Sequence, residues 1–295
     1  MTGSSPLAAR RTRELFIVAL TSAALLAVLY LVAVRTRWGQ EFDDVAFAGR
    51  AVEDPEVTRE LNELLHSVTR SSLVLLTLAL VVVALARRRV RLAVAVGVAV
   101  TGAVATTEVL KLHLLTRPQL DDIGGITENS FPSGHATIGM ALSLGVVMVS
   151  PQRWRWASAV GAMVLASTFG LGVLATGWHR PSDVLAAFLV CAAWFGVVTA
   201  VLLRWRGGGD PGGAHTVEDR LGARWAAVVG GVVVVLGLIV LVTTFSADAL
   251  STVEFAADYL VVCAVILAVG VAEVVGYHQL LRGLSLDAPN PSVGA

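Results

Sequence analysis

The chain has 295 residues, of which 56% are hydrophobic and 15% charged, against roughly 45–50% apolar and about 25% charged in soluble domains. That balance excludes an ordinary water-soluble domain. The 22 basic and 22 acidic residues cancel, so no overall basic field marks a nucleic-acid partner.

About 20 mostly apolar residues are needed for a helix to cross the hydrocarbon core. In chain order the sequence offers about eight such stretches, near residues 15–34, 71–86, 92–115, 134–150, 157–177, 182–203, 225–245 and 257–276. The predicted fold is therefore all-α, a polytopic membrane helical bundle. The first stretch is too long and too poor in a small-residue cleavage site for a signal peptide, and reads as a retained span. Between the first two spans lies a polar segment, Arg35 to Arg70, rich in Asp and Glu. Within it Val57, Leu61, Leu64, Leu65 and Val68 repeat at helical spacing, which predicts a short amphipathic helix on the membrane surface or an exposed connecting helix. The glycine-rich run 207–213 reads as a flexible linker.

Arginine placement predicts orientation, because short cytoplasmic loops are enriched in Lys and Arg. Arg10, Arg11 and Arg13 precede the first span, Arg87, Arg88, Arg89 and Arg91 follow the second, Arg153 and Arg155 follow the fourth, and Arg204, Arg206, Arg220 and Arg224 follow the sixth. All fall on one side. The expectation is a multi-pass plasma-membrane protein with both termini cytoplasmic and the loops after the third and fifth spans facing outward. Four regions follow: 1–70, with the first span and outer amphipathic segment; 71–205, the core; 206–224, a cytoplasmic linker; and 225–295, two further spans and a tail.

Three chemically unusual segments map to the outward side: Lys111-Leu-His-Leu-Leu-Thr-Arg-Pro118, Phe131-Pro-Ser-Gly-His-Ala136 and Gly177-Trp-His-Arg-Pro-Ser-Asp183. Charged groups near a span are costly and usually functional. In the second segment Pro132 and Ser133 suit a helix start, and Gly134 allows close backbone approach. The free N–H groups of such a start attract an anion, and His135 lies beside it as donor or proton carrier. In the third, Pro181 suits the first turn of the sixth span, and Asp183 lies four residues beyond His179. A carboxylate bonded to one ring nitrogen fixes the tautomer and leaves the other as a nucleophile. Lys111, the only lysine in the chain, and Arg117 suit phosphate oxygens, although each also fits simple interfacial snorkelling.

Together these segments resemble the type 2 phosphatidic acid phosphatase family, which includes vanadium haloperoxidases and soluble bacterial acid phosphatases. The resemblance covers roughly residues 71–205. It implies a six-helix lipid-phosphatase core, His179 as nucleophile forming a phosphohistidine, Asp183 as its orienting partner and His135 as general acid. It also implies that Ser133, Gly134, Lys111 and Arg117 hold the phosphate. Two positions depart from the family pattern. Lys111 lies one residue closer to Arg117 than usual, which a one-residue loop change absorbs. The arginine of the third motif is missing, its Ser-Arg pair being replaced by Gly172 and Val173; Arg180, next to the nucleophile, is the candidate replacement.

The expected activity is metal-independent hydrolysis of a lipid-linked phosphate monoester or diphosphate, with a membrane lipid phosphate or polyprenyl diphosphate as substrate and the lipid bilayer as surroundings. A lipid phosphotransferase using the same site and a non-catalytic lipid-phosphate-binding protein are the alternatives. No His and carboxylate cluster has metal-site spacing, so no metal ligand and no cofactor are expected. Cys191 and Cys263 lie in apolar runs and read as small hydrophobes. His113 reads as a packed core residue, and His66, His215 and His278 as loop or interface residues. Glu108 is placed one turn before Lys111 to pair with it, and Glu273 is expected to reach the cytoplasmic interface.

Overall fold

A computed structural model describes residues 6–120, 128–205, 255–284 and 286. Among them are nine α-helices and no strand: α1 Pro6–Leu29, α2 Arg37–Ala48, α3 Pro55–Ser67, α4 Arg70–Ala86, α5 Val90–Val109, α6 Gly134–Val149, α7 Arg155–Ala175, α8 Pro181–Trp205 and α9 Ala256–Leu280. Helix starts follow local chemistry. The Thr36 side chain accepts from Gly39 N at 3.0 Å. Asp54 accepts from Glu56 N at 2.7 Å, with Pro55 in the first helical position, and Thr69 and Ser72 form a reciprocal capping box. These side chains satisfy backbone donors that a helix start leaves unpaired. The surface helix expected from the 57–68 periodicity is α3, with Leu65 buried and Leu64 exposed.

Five helical segments are long and apolar enough to cross a membrane: Pro6–Val34, Val90–Leu114, Gln152–Ala175, Pro181–Trp205 and Ala256–Leu280. A sixth arises if α3 and α4, which meet at a 67° bend, are taken as one broken span. The protein is thus a multi-pass membrane protein with five or six candidate spans among the described residues. Eight spans are not shown among the described residues. Helix α6 is a 16-residue apolar helix, shorter than a full span by the same measure, and the stretch expected at 225–245 lies outside the described residues, as does the 207–213 linker.

Helix α6 lies at the centre, buried along nearly its whole length and in contact with α4, α5, α7, α8 and α9. Helix α1 runs along α8, and α9 along α7. Small residues set these approaches, since lipid offers no hydrophobic drive and close packing must hold the helices together. A Cβ on Gly196 of α8 would lie 2.9 Å from the Leu15 carbonyl oxygen of α1, and one on Gly139 of α6 only 2.4 Å from Phe169 Cβ of α7. The outer surface carries exposed apolar side chains such as Leu20, Leu75 and Val261, as a lipid-facing surface requires.

The two ends of the bundle differ chemically. At one end, arginines bond to helix carbonyls that have no intrahelical donor. Arg91 Nη1 donates to Trp205 O at 3.0 Å, Arg155 Nη1 to Leu281 O at 2.9 Å, and Arg87 to Val149 O. The opposite end gathers α2, α3 and all three motif segments. Gly139→Ala tests the packing that joins them: the added methyl has no room at Phe169, so the variant is expected to lose about 1–3 kcal/mol, read as a lower melting temperature in detergent.

Candidate active site

The third motif folds around one carboxylate. After α7 the chain turns through Gly177, whose φ of +75° suits glycine. Trp178 N and His179 N both donate to the Val173 carbonyl, at 3.0 and 3.1 Å. Pro181 then starts α8. Asp183 Oδ2 accepts from His179 Nδ1 at 3.2 Å, Ser130 Oγ at 2.6 Å and Arg180 N at 3.0 Å. The imidazole is thereby oriented by a buried carboxylate, and its Nε2 is left for other chemistry.

The second motif is tied to the third through the backbone: Ser133 N donates to Asp183 O at 3.0 Å. Ser133 caps α6 by accepting from Ala136 N at 3.3 Å and is fully buried. His135 follows on the first turn and interacts electrostatically with His179 and Lys111. Its ring meets Trp178 edge-on at 5.0 Å, hydrogen-bonds to the Val68 backbone, and feels His66, which meets Trp178 at 4.7 Å. The end of α3 therefore lies over the site, and His66 belongs to its wall.

In the first motif, α5 ends in a π-helical turn, Leu110–Leu114, which shifts register by one residue. Lys111 Nζ pairs with Glu108 Oε1 at 3.1 Å, as the one-turn spacing suggests, and would sit 3.5 Å from a Cβ at Gly134. Glycine at 134 leaves open the space between Lys111 and the α6 N-terminus. Asn129 Nδ2 donates to Lys111 O and Leu115 O, at 3.0 and 2.9 Å, and closes this turn against the second motif. His113, on the same turn, is exposed rather than packed in the core.

Arg117 and Arg180 come together on a partner that sequence reasoning missed, the α2 pair Asp43 and Asp44. Arg117 Nη1 lies 3.7 Å from Asp43 Oδ2 and its Nη2 3.7 Å from Asp44 Oδ2. Arg180 Nε is bonded to Asp44 Oδ1. Asp43 also accepts from Ser182 N at 3.0 Å and Ser182 Oγ at 2.6 Å. All four charged side chains are buried. Gln40, one turn earlier on α2, fixes the loop that carries Arg117 by donating to Pro118 O at 2.6 Å and accepting from Leu120 N at 3.1 Å. The available signal was the Asp43-Asp44 doublet on an amphipathic helix entering the same membrane face. Only its pairing with distant arginines made it informative.

At the departure from the third motif, Val173 is buried and Leu61 and Leu65 of α3 lie near Gly172. The place of the missing arginine is filled by apolar packing. Arg50 approaches the neighbouring turn, its Nε 2.9 Å from an ideal Cβ on Gly177, while its guanidinium covers the Phe47 ring and Nη1 donates to Phe47 O. Among the described residues no group of three His, Cys, Asp or Glu side chains is placed to hold a metal ion.

The helical membrane bundle thus carries an imidazole–carboxylate pair, a second imidazole and cations at one end. Residues 92–206 match the PAP2 superfamily, so the chain carries a PAP2 superfamily domain across its central helices. Such a domain implies phosphatase-type activity on lipid phosphates in a bilayer. No curated protein matches the chain, and no solved structure does.

Burial, and then the nearby Asp183 charge, push the Asp43 carboxyl up to about 7, against the opposing pull of its Ser182 bonds and Arg117. The folded pKa lies above the unfolded value near 3.8, so folding favours the protonated acid. This group's contribution to stability is greatest below the unfolded pKa and falls as pH rises towards 7. Wild type should therefore lose melting temperature relative to Asp43→Asn between about pH 4 and 7, measured by parallel thermal melts.

Proposed function

We propose that the chain hydrolyses a lipid-linked phosphate monoester or diphosphate through a phosphohistidine on His179, without a metal. The observation that carries this reading is the His179–Asp183 pair at 3.2 Å, with His135 in the electrostatic field of both His179 and Lys111. His179 Nε2 attacks phosphorus, the bond from phosphorus to the leaving oxygen breaks, and His135 gives that oxygen its proton. Water then attacks the phosphohistidine, loses a proton to His135 and releases His179 with inorganic phosphate. Lys111, Arg117 and the α6 N-terminus at Ser133 and Gly134 stabilise the phosphoryl oxygens. Arg180 acts from behind them, through its bond to Asp44.

The location follows from charge. With the arginine-rich end of the bundle cytoplasmic, the active site faces outside and meets headgroups of the outer leaflet. A cysteine introduced at Gln119 should react with a membrane-impermeant reagent on intact cells, and one at Arg153 should not; the reverse pattern would place the site inside.

Detergent-purified full-length protein given phosphatidate or polyprenyl diphosphate should release phosphate with chelator present. His179→Ala should abolish release, and Asp183→Asn should lower turnover by about 10²–10⁴-fold, the range of an impaired acid–base system. Release that requires an added lipid or sugar hydroxyl would make the protein a phosphotransferase, and undiminished release by His179→Ala would remove the proposal.

A further inference from the structure

The α2 carboxylates carry a consequence for substrate choice. Each cation assigned to phosphate is paired with a carboxylate of the same chain: Lys111 with Glu108, Arg117 with Asp43 and Asp44, and Arg180 with Asp44. Asp183 adds a further buried carboxylate. These three cations thus face at least as many carboxylates, and Arg50, beside the Gly177 turn, is held against Phe47.

The pairing around Arg117 is electrostatic without consuming its hydrogen bonds. Nη1 and Nη2 are buried, lie 3.7 Å from the carboxylate oxygens and make no hydrogen bond. Two buried donors on one planar fork suit two oxygens of a single phosphoryl group. The repulsion from the Asp44 carboxylate, joined by Asp43 whenever that residue is ionised, acts on every negative charge brought to that fork, so its cost grows with the charge of the ligand.

Resting on the hydrolase reading above, we propose that Asp43 and Asp44 are specificity-determining residues that select a lipid phosphate monoester over the corresponding diphosphate. The fork binds one phosphoryl group, and the carboxylates beside its two nitrogens penalise the additional charge of a second. Reaction of the monoester breaks the bond from phosphorus to the lipid oxygen and yields the lipid alcohol and inorganic phosphate. The same attack on a diphosphate would expel a lipid monophosphate, a more highly charged leaving group for the same site to accommodate.

The test compares polyprenyl monophosphate and polyprenyl diphosphate of identical chain length, so that only headgroup charge differs. Full-length wild-type protein is expected to favour the monophosphate in kcat/KM by about tenfold or more, the effect of one uncompensated charge in a partly buried site. Asp44→Asn, nearly the same shape, should narrow that ratio by a similar factor through KM for the diphosphate, whereas damage to folding alone would lower both rates together. Competition by inorganic phosphate and by methylene diphosphonate reads the same selectivity without turnover, and Asp44→Asn should strengthen the diphosphonate more than phosphate. A wild-type preference for the diphosphate, or a ratio and inhibitor ranking unchanged in Asp44→Asn, would overturn the assignment while leaving His179-dependent hydrolysis intact. Phosphate release that survives His179→Ala would instead remove the underlying reading.

Discussion

The active end of this bundle depends on burying the Asp183 carboxylate. An ionised carboxylate removed from water costs several kcal/mol unless neighbours replace the lost hydration. Here one oxygen receives donors from three directions: the nucleophile candidate His179, the loop hydroxyl of Ser130 and the backbone of Arg180. The residue's carbonyl receives Ser133 N. A single side chain and its peptide group thus join the start of α6, the loop before it and the start of α8. The relative placement of His135 and His179 follows from that junction.

A second buried network surrounds the first. Asp43 bonds to Ser182, immediately before Asp183, and Asp44 to Arg180, while Arg117 lies between both carboxylates. Buried ion pairs of this kind contribute little net stability, but removal of one partner is costly, about 3–5 kcal/mol. Their value lies in geometry: α2 is held against the motif loops, and the loop arginine and α8 arginine share one anchor. The surface helix α3 completes the enclosure through His66 and the Val68 backbone, setting Trp178 and His135 in a wall of rings rather than in open water.

Much of the fold was legible because membranes impose a simple rule: backbone polar groups must be satisfied within the segment, so long apolar runs are helices. The runs at 15–34, 92–115, 157–177, 182–203 and 257–276 correspond to α1, α5, α7, α8 and α9. Marginal runs were less decisive. Residues 71–86 form a helix that spans only in combination with α3, and 134–150 form a short central helix whose burial comes from protein neighbours. Within the site, the four-residue spacing of His179 and Asp183 sufficed to place them together, since the bend leading into α8 brings residues about one turn apart into contact. Lys111 and Glu108 met because i and i+3 positions are neighbours on a helix.

The sequence by itself determined the membrane class, the helical content and the short-range pairs, because each rests on composition or on contacts within one turn. It also located the unusual residues at the span ends. Only the tertiary structure decided that Arg117 and Arg180, 63 positions apart in the numbering, share the α2 carboxylates. It likewise brought Ser130 to Asp183, His66 to Trp178, and leucines of α3 towards the place where the third-motif arginine is missing. These contacts join segments with no common periodicity. Their energy comes from mutual burial of charge and apolar surface, which exists only after the helices have packed.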